Sequence, residues 1–171
     1  MKTTGEKRER DRPRVAASSY LNSAPLVWSF MHGTRRQEIE LVTDTAPARC
    51  AEMLARSEVE AALVPVIEYQ RLQHLLVVPG VCVGARSRVR SVVLVTREGV
   101  DDLSRVRSVA LDTSSRTSAA LVQVIFREFL GTEPEWRGSA PDVAAMLKVS
   151  DAALIIGDPG MTFPRGRAVV Y

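Results

Sequence analysis

From Arg14 onward, short apolar runs alternate with amphipathic stretches, and this alternation constrains the fold more than any other feature of the chain. Apolar runs bounded by turn signals read as strands, and apolar residues at i, i+3, i+4 read as helix. Residues 14–18 then form a strand, 25–31 a short helix, and 38–43 a second strand with Ile39 and Leu41 turned inward. Asp44-Thr45-Ala46-Pro47 is a helix-start signal with proline early in the first turn. Cys50, Met53 and Leu54 supply the inward face of that helix. Residues 60–64 read as a third strand, buried on both faces, and 66–72 as a short helix. Residues 75–97 have strand character, broken by the turn pair Pro79-Gly80 and by 84–90. A crossing between two lobes falls there.

A second block repeats the pattern. Residues 108–112 form a strand, and 115–130 a helix ended by Gly131. Arg116, Gln123 and Arg127 mark its polar stripe, with Leu121, Ile125 and Phe129 expected inward. Residues 133–137 follow as a strand. Ser139-Ala140-Pro141-Asp142 has capping-box spacing, with proline inside the first turn and Val143, Met146 and Leu147 facing inward. Residues 152–156 form a buried strand, and 168–171 begin another. A β-α-β-α-β pattern written twice implies an α/β fold of parallel sheets with right-handed crossovers. The expected organisation is a charged, disordered leader over 1–13, a first α/β lobe over 14–84 and a second over 85–171, with the crossing strands near 80–97.

Composition narrows the function. The hydrophobic share is 46% and the charged share 25%, which excludes a disordered chain and a disulfide scaffold. The net charge of +3 belongs to the first 14 residues, which hold six basic and three acidic residues, and the remainder is balanced. A neutral body gives no footprint for nucleic acid. Ser18, Ser19, Asn22, Ser23 and Pro25 interrupt the uncharged stretch after the leader, so it is neither a signal peptide nor a membrane span. The expected location is the cytoplasm. Cys50 and Cys82 match no metal spacing and read as buried free thiols. His32 and His74 read as structural.

Ligands of open parallel sheets bind beyond the carboxyl ends of the strands. Four loops qualify, at 19–25, 65–69, 113–118 and 157–160, and all are rich in small polar groups. The clearest is Asp112-Thr113-Ser114-Ser115-Arg116-Thr117-Ser118, where a strand gives way to a helix. Capping needs one hydroxyl. Five of them at a helix N-terminus favour an anion, and no Walker pattern is present, so a carboxylate fits better than a nucleotide phosphate. In the first loop Asn22 offers a donor and an acceptor together. Glu68 is a candidate general base and Asp158 a candidate cleft residue, against the plainer readings of structural carboxylate and turn former.

The same loops carry a resemblance. SYLNSAPL at 19–26, VEAALVPVIEY at 59–69, VRSVVLVT at 89–96, VALDTSSRTSAALV at 109–122 and AALIIGDP at 152–159 are similar, in order, to the chorismate dehydratase family of the futalosine route to menaquinone. The resemblance implies a two-lobed fold like the type II periplasmic binding proteins, with the C-terminal part of the usual fold missing. It implies a cytoplasmic hydro-lyase that converts chorismate to 3-[(1-carboxyvinyl)oxy]benzoate, with no metal and no redox cofactor. Asn22 is then the catalytic polar group, which orients the substrate and hydrogen-bonds the departing hydroxyl. Ser19, Ser91, Ser115, Thr117 and Ser118 hold the dicarboxylate substrate. The base is open between the substrate's own enolpyruvyl carboxylate and Glu68. A homodimer or a complementing chain is expected to cover the missing part. A module that binds a carboxylate without chemistry, and an inactive remnant of the enzyme, are the alternatives.

Overall fold

A computed structural model describes residues 12–163 and 168–169. Most of the leader, residues 1–11, lies outside the described residues. The chain divides into two units. Unit 1 runs to Val64 and takes in Val77–Val83; unit 2 holds Pro65–Leu76 and everything from Gly84 onward. Pro65–Leu76, which follows the first block in sequence, therefore groups with the second.

In unit 1, β1 (Arg14–Ser18), β2 (Glu40–Asp44) and β3 (Ala61–Ala62) form a parallel sheet of order β2-β1-β3. The helices are α1 (Ala24–Met31) and α2 (Pro47–Ala55). Pro47 opens α2 where its missing N–H costs nothing, and Asp44 Oδ1 accepts the Ala46 N–H at 2.9 Å. Ala16, Cys50 and Val59 form the buried cluster, with Val42, Met53, Leu54 and Ala62 packed around it. Val42, not Leu41, is the β2 residue in this packing, because the pleat puts neighbouring residues on opposite faces. The third strand is shorter than its composition suggests. Only Ala61 and Ala62 pair, and both are half-buried.

Unit 2 contains α3 (Glu68–Arg71) and a five-stranded sheet of order β6-β5-β7-β4-β8. The strands are β4 (Val92–Thr96), β5 (Ser108–Asp112), β6 (Glu135–Ser139), β7 (Ala152–Ile156) and β8 (Ala168–Val169). The helices are α4 (Arg116–Val124), α5 (Val143–Val149) and α6 (Gly157–Thr162). β5, β6 and β7 are parallel, as the alternation requires, but β4 runs antiparallel to both β7 and β8. Two buried clusters sit on the sheet's two faces. Leu94, Val109, Leu111 and Leu154 pack with Val122 and Phe126, while Val93, Val95, Ala110 and Ile155 pack with Met146. The register explains the division, since Leu94 and Leu111 both lie opposite Leu154, and Val93 opposite Ile155.

The helix after β5 departs from expectation in its buried face. Val122 and Phe126 are buried, whereas Leu121 is 57% and Phe129 79% exposed. Adjacent stripes of this helix are both apolar, so periodicity alone does not choose between them. A π turn at Ile125–Phe129 also shifts the phase before Gly131, at φ 63°, ends the segment. α5 begins three residues later than its capping-box reading. Ser139 is held in the β5–β6 ladder, and Asp142 caps the helix through the Ala145 N–H at 3.0 Å. The two thiols also differ: Cys50 is buried and Cys82 exposed. No described helix is long and apolar enough to cross a membrane.

Candidate functional site

The β5–α4 loop is built around Asp112, whose side chain is buried at the end of β5. Its Oδ1 accepts the Ser114 N–H at 2.9 Å and the Ser114 hydroxyl at 2.6 Å, and its Oδ2 accepts the Ile156 N–H at 3.2 Å. This ties the loop to the end of the neighbouring strand. Ser115 caps α4 by accepting the Ser118 N–H at 3.3 Å. Thr113 donates to the Ser139 carbonyl at 3.3 Å, and Thr117 accepts the Ile67 N–H at 3.4 Å. Four of the five hydroxyls are thus engaged, Ser114 and Ser115 within the loop and Thr113 and Thr117 with neighbouring segments, and Ser118 contributes a backbone N–H to the cap.

The residue that the hydroxyl pattern overshadows is Arg116. Its guanidinium meets Glu68 Oε1 at 3.2 Å, and Arg71 meets the same oxygen at 3.7 Å. The Glu68 side chain is 1% exposed. An ionised carboxylate removed from water needs such partners. Both arginines line a cavity of about 370 Å³ within unit 2, together with Asp112, Ser115, Gln123 and the apolar Leu111 and Ala119. Glu68 and Arg116 are 48 residues apart, and no local signal links them.

Ser91 is half-buried just before β4. Gly157, at φ 69°, turns the chain from β7 into α6, and Asp158 is exposed in the first turn of that helix. Gly160 lies so close that a Cβ there would stand 2.7 Å from the Ser91 carbonyl oxygen. Unit 2 therefore brings Ser91 beside the 157–160 loop, Glu68 beside Arg116, and Ile67 beside Thr117. The cavity wall includes Ser115 but not Ser91, Thr117, Ser118 or Asp158.

Asn22 and Ser19 belong to unit 1. Both are exposed in the loop between β1 and α1. The Ser19 N–H donates to the Asp44 carbonyl at 2.8 Å, and the Ser18 and Ser23 hydroxyls meet at 2.8 Å beneath the loop. Asn22 Oδ1 accepts the Ser23 hydroxyl at 3.4 Å. The loop is thus shaped by buried hydroxyls and leaves the amide side chain at the surface.

A family model described as menaquinone biosynthesis matches residues 13–171. The chain belongs to that family. A curated relative, the chorismate dehydratase of Thermus thermophilus, is 33% identical over 140 residues, which is 81% of this chain and 48% of the relative. The menaquinone-family chain therefore spans about half the length of the curated relative it matches. Among solved structures, the periplasmic aliphatic sulphonate binding protein of Escherichia coli aligns with a TM-score of 0.54 and 17% identity, over 87% of this chain and 55% of that one. A Candida albicans protein with the generic periplasmic binding protein fold aligns with a TM-score of 0.57 and 16% identity, over 85% and 53%. The fold is periplasmic-binding-protein-like, and the chain covers part of it.

Proposed function

We propose that this chain is a chorismate dehydratase, a hydro-lyase that converts chorismate to 3-[(1-carboxyvinyl)oxy]benzoate and water in menaquinone biosynthesis. The observation that carries the reading is the 33% identity to the Thermus enzyme over 81% of the chain. In the reaction a ring C–H bond and the ring C–O bond break, the electron pair completes the aromatic ring, and the hydroxyl leaves with a proton as water. The protein's part is to position a dicarboxylate and to assist the leaving group. Asn22 takes the second role, since an amide donates a hydrogen bond but is a poor base. Ser19, Ser91, Ser115, Thr117 and Ser118 hold the substrate, with Asp158 at the edge of the site. The burial of Glu68 and its engagement by two guanidiniums favour the substrate's own enolpyruvyl carboxylate as the base. The protein is taken as cytoplasmic, and the reaction needs no metal or redox cofactor.

The test is incubation with chorismate, with products followed by chromatography and mass. Loss of one water, at a rate above the uncatalysed background, is expected. Asn22→Ala is expected to abolish turnover with the fold intact, because this exposed side chain makes a single long hydrogen bond. Turnover near the wild-type rate in that variant removes Asn22 from the mechanism. A second reading is a module that binds a small carboxylate without chemistry, supported by the shared fold with a periplasmic binding protein. Binding without conversion selects it. A folded chain that does neither is a remnant of the enzyme.

A further inference from the structure

We propose that Glu68 is a positioning residue: it holds Arg116 and Arg71 as a guanidinium pair on the wall of the unit 2 cavity, where the pair binds a carboxylate of the ligand. Three observations converge on this. First, Glu68 and Asp112 are the most deeply buried acidic residues among the described residues, each 1% exposed. An exposed Glu–Arg pair at i, i+3 does not need a buried carboxylate, and it contributes little. Burial makes sense when the carboxylate must fix its partner's orientation. Second, Arg116 is the first residue of α4, where a cation opposes the positive end of the helix dipole. Glu68, 3.2 Å away, offsets that placement. The fold therefore keeps an arginine at an electrostatically unfavourable position and supplies the anion that holds it there. Third, both arginines are on the cavity wall.

The cavity's chemistry suits a carboxylate attached to an apolar ring. Its volume of about 370 Å³ lies at the small end of the range for small-molecule sites. Guanidinium presents its N–H donors in a planar fork that matches a carboxylate. Arg71 is 58% exposed, and its single ion pair, at 3.7 Å, leaves most of its five N–H donors to a ligand. Gln123 and Ser115 add neutral polar groups, while Leu111 and Ala119 give apolar surface. Asp112 is the acidic group on the wall, but its oxygens are taken by Ser114 and the Ile156 N–H. It is thereby committed to the loop.

For its ligand the proposal rests on the dehydratase reading, and the experiment separates the two. Glu68→Gln keeps the shape and removes the charge. Arg71→Gln removes one fork from a side chain at the surface. For wild type and both variants, kcat and KM are measured with chorismate, and Kd is measured by calorimetry with 3-hydroxybenzoate as the carboxylate probe. We expect Kd and KM to rise about tenfold to hundredfold in each variant, the scale of one charge-assisted hydrogen bond. kcat should stay within about threefold, because binding and not the chemical step is lost. A collapse of kcat in Glu68→Gln at unchanged KM makes Glu68 a catalytic base and overturns the proposal. Unchanged Kd and KM in both variants overturn it too, as does a wild-type protein with no affinity for the probe. Should Glu68→Gln fail to fold, Arg71→Gln decides. Wild-type dehydration with unshifted variants removes the proposal and leaves the dehydratase reading. Probe binding weakened in the variants, with no dehydration by wild type, does the reverse.

Discussion

Unit 1 and unit 2 use the same strand–helix alternation but bury very different amounts of it. In unit 2 the sheet has an apolar cluster on each face, and β4, β5 and β7 are largely buried along their lengths. In unit 1 the fully buried cluster is Ala16, Cys50 and Val59, three small side chains. Val77, Val78, Val81 and Val83 of the same unit are each between 42% and 67% exposed. Because stabilisation follows the apolar area removed from water, at about 25 cal/mol per Å², unit 2 should dominate the stability of the chain. Amide exchange should show this directly, with unit 1 opening at lower free energy than unit 2. Equal protection in the two units would break the comparison.

The largest single effect is expected at Phe126. It is fully buried and stands edge-to-face with Trp136, with ring centroids 5.5 Å apart. Phe126→Ala should cost about 3–5 kcal/mol in denaturant unfolding, by lost transfer and a residual cavity. It should bring unit 2 down toward unit 1 in exchange protection. A loss well under that range would mean that the face beneath α4 repacks.

Next comes Gly160, where an added methyl would meet the Ser91 carbonyl at 2.7 Å. Backbone cannot swing aside as a side chain does, so Gly160→Ala should cost about 1–3 kcal/mol by overpacking. A melting temperature equal to wild type would show that α6 shifts freely.

The smallest effect sharpens the unit 1 side. Burial, with the Asp44 charge second, pushes the Cys50 thiol from 9.0 up to about 11. The folded state then holds this proton more tightly than the unfolded chain. The stability it lends is complete below pH 9 and is lost as pH rises from about 9 to about 11. Melting temperature should therefore fall more steeply across that window in wild type than in Cys50→Ala. Parallel curves would remove Cys50 as the cause. At pH 8 a thiol reagent should modify Cys82, which is exposed, and spare Cys50.

Legibility in the sequence followed locality. β1, β5 and β7 occupy the residues that their apolar runs predict, because each run is short, bounded and nearly free of charge. α1 and α2 start close to their proline signals. The stripe of α4 was not legible, since Leu121 and Phe129 are as apolar as Val122 and Phe126 and only the neighbouring sheet decides which side is covered. The start of α5 was ambiguous for a similar reason. Ser139 and Asp142 are both good caps, and the β5–β6 ladder takes the first.

The candidate site divides in the same way. The hydroxyl-rich loop after β5 was visible as a motif, yet most of its hydroxyls are engaged by the loop and by neighbouring segments. Glu68 was visible as a carboxylate on a short helix, but its engagement by Arg116 was not.

What the amino-acid sequence determined by itself is the α/β alternation, the places where strands turn into helices, and the loops rich in small polar groups. These follow from periodicity, caps and turn residues, which act over a few positions. Only the tertiary structure decided that β4 runs antiparallel, that Val122 and Phe126 are the buried stripe, and that Glu68 and Arg116 meet across 48 residues. A strand's apolar pattern is the same in either direction, and a charge carries no local mark of its partner. Those choices depend on which surfaces the folded chain brings together.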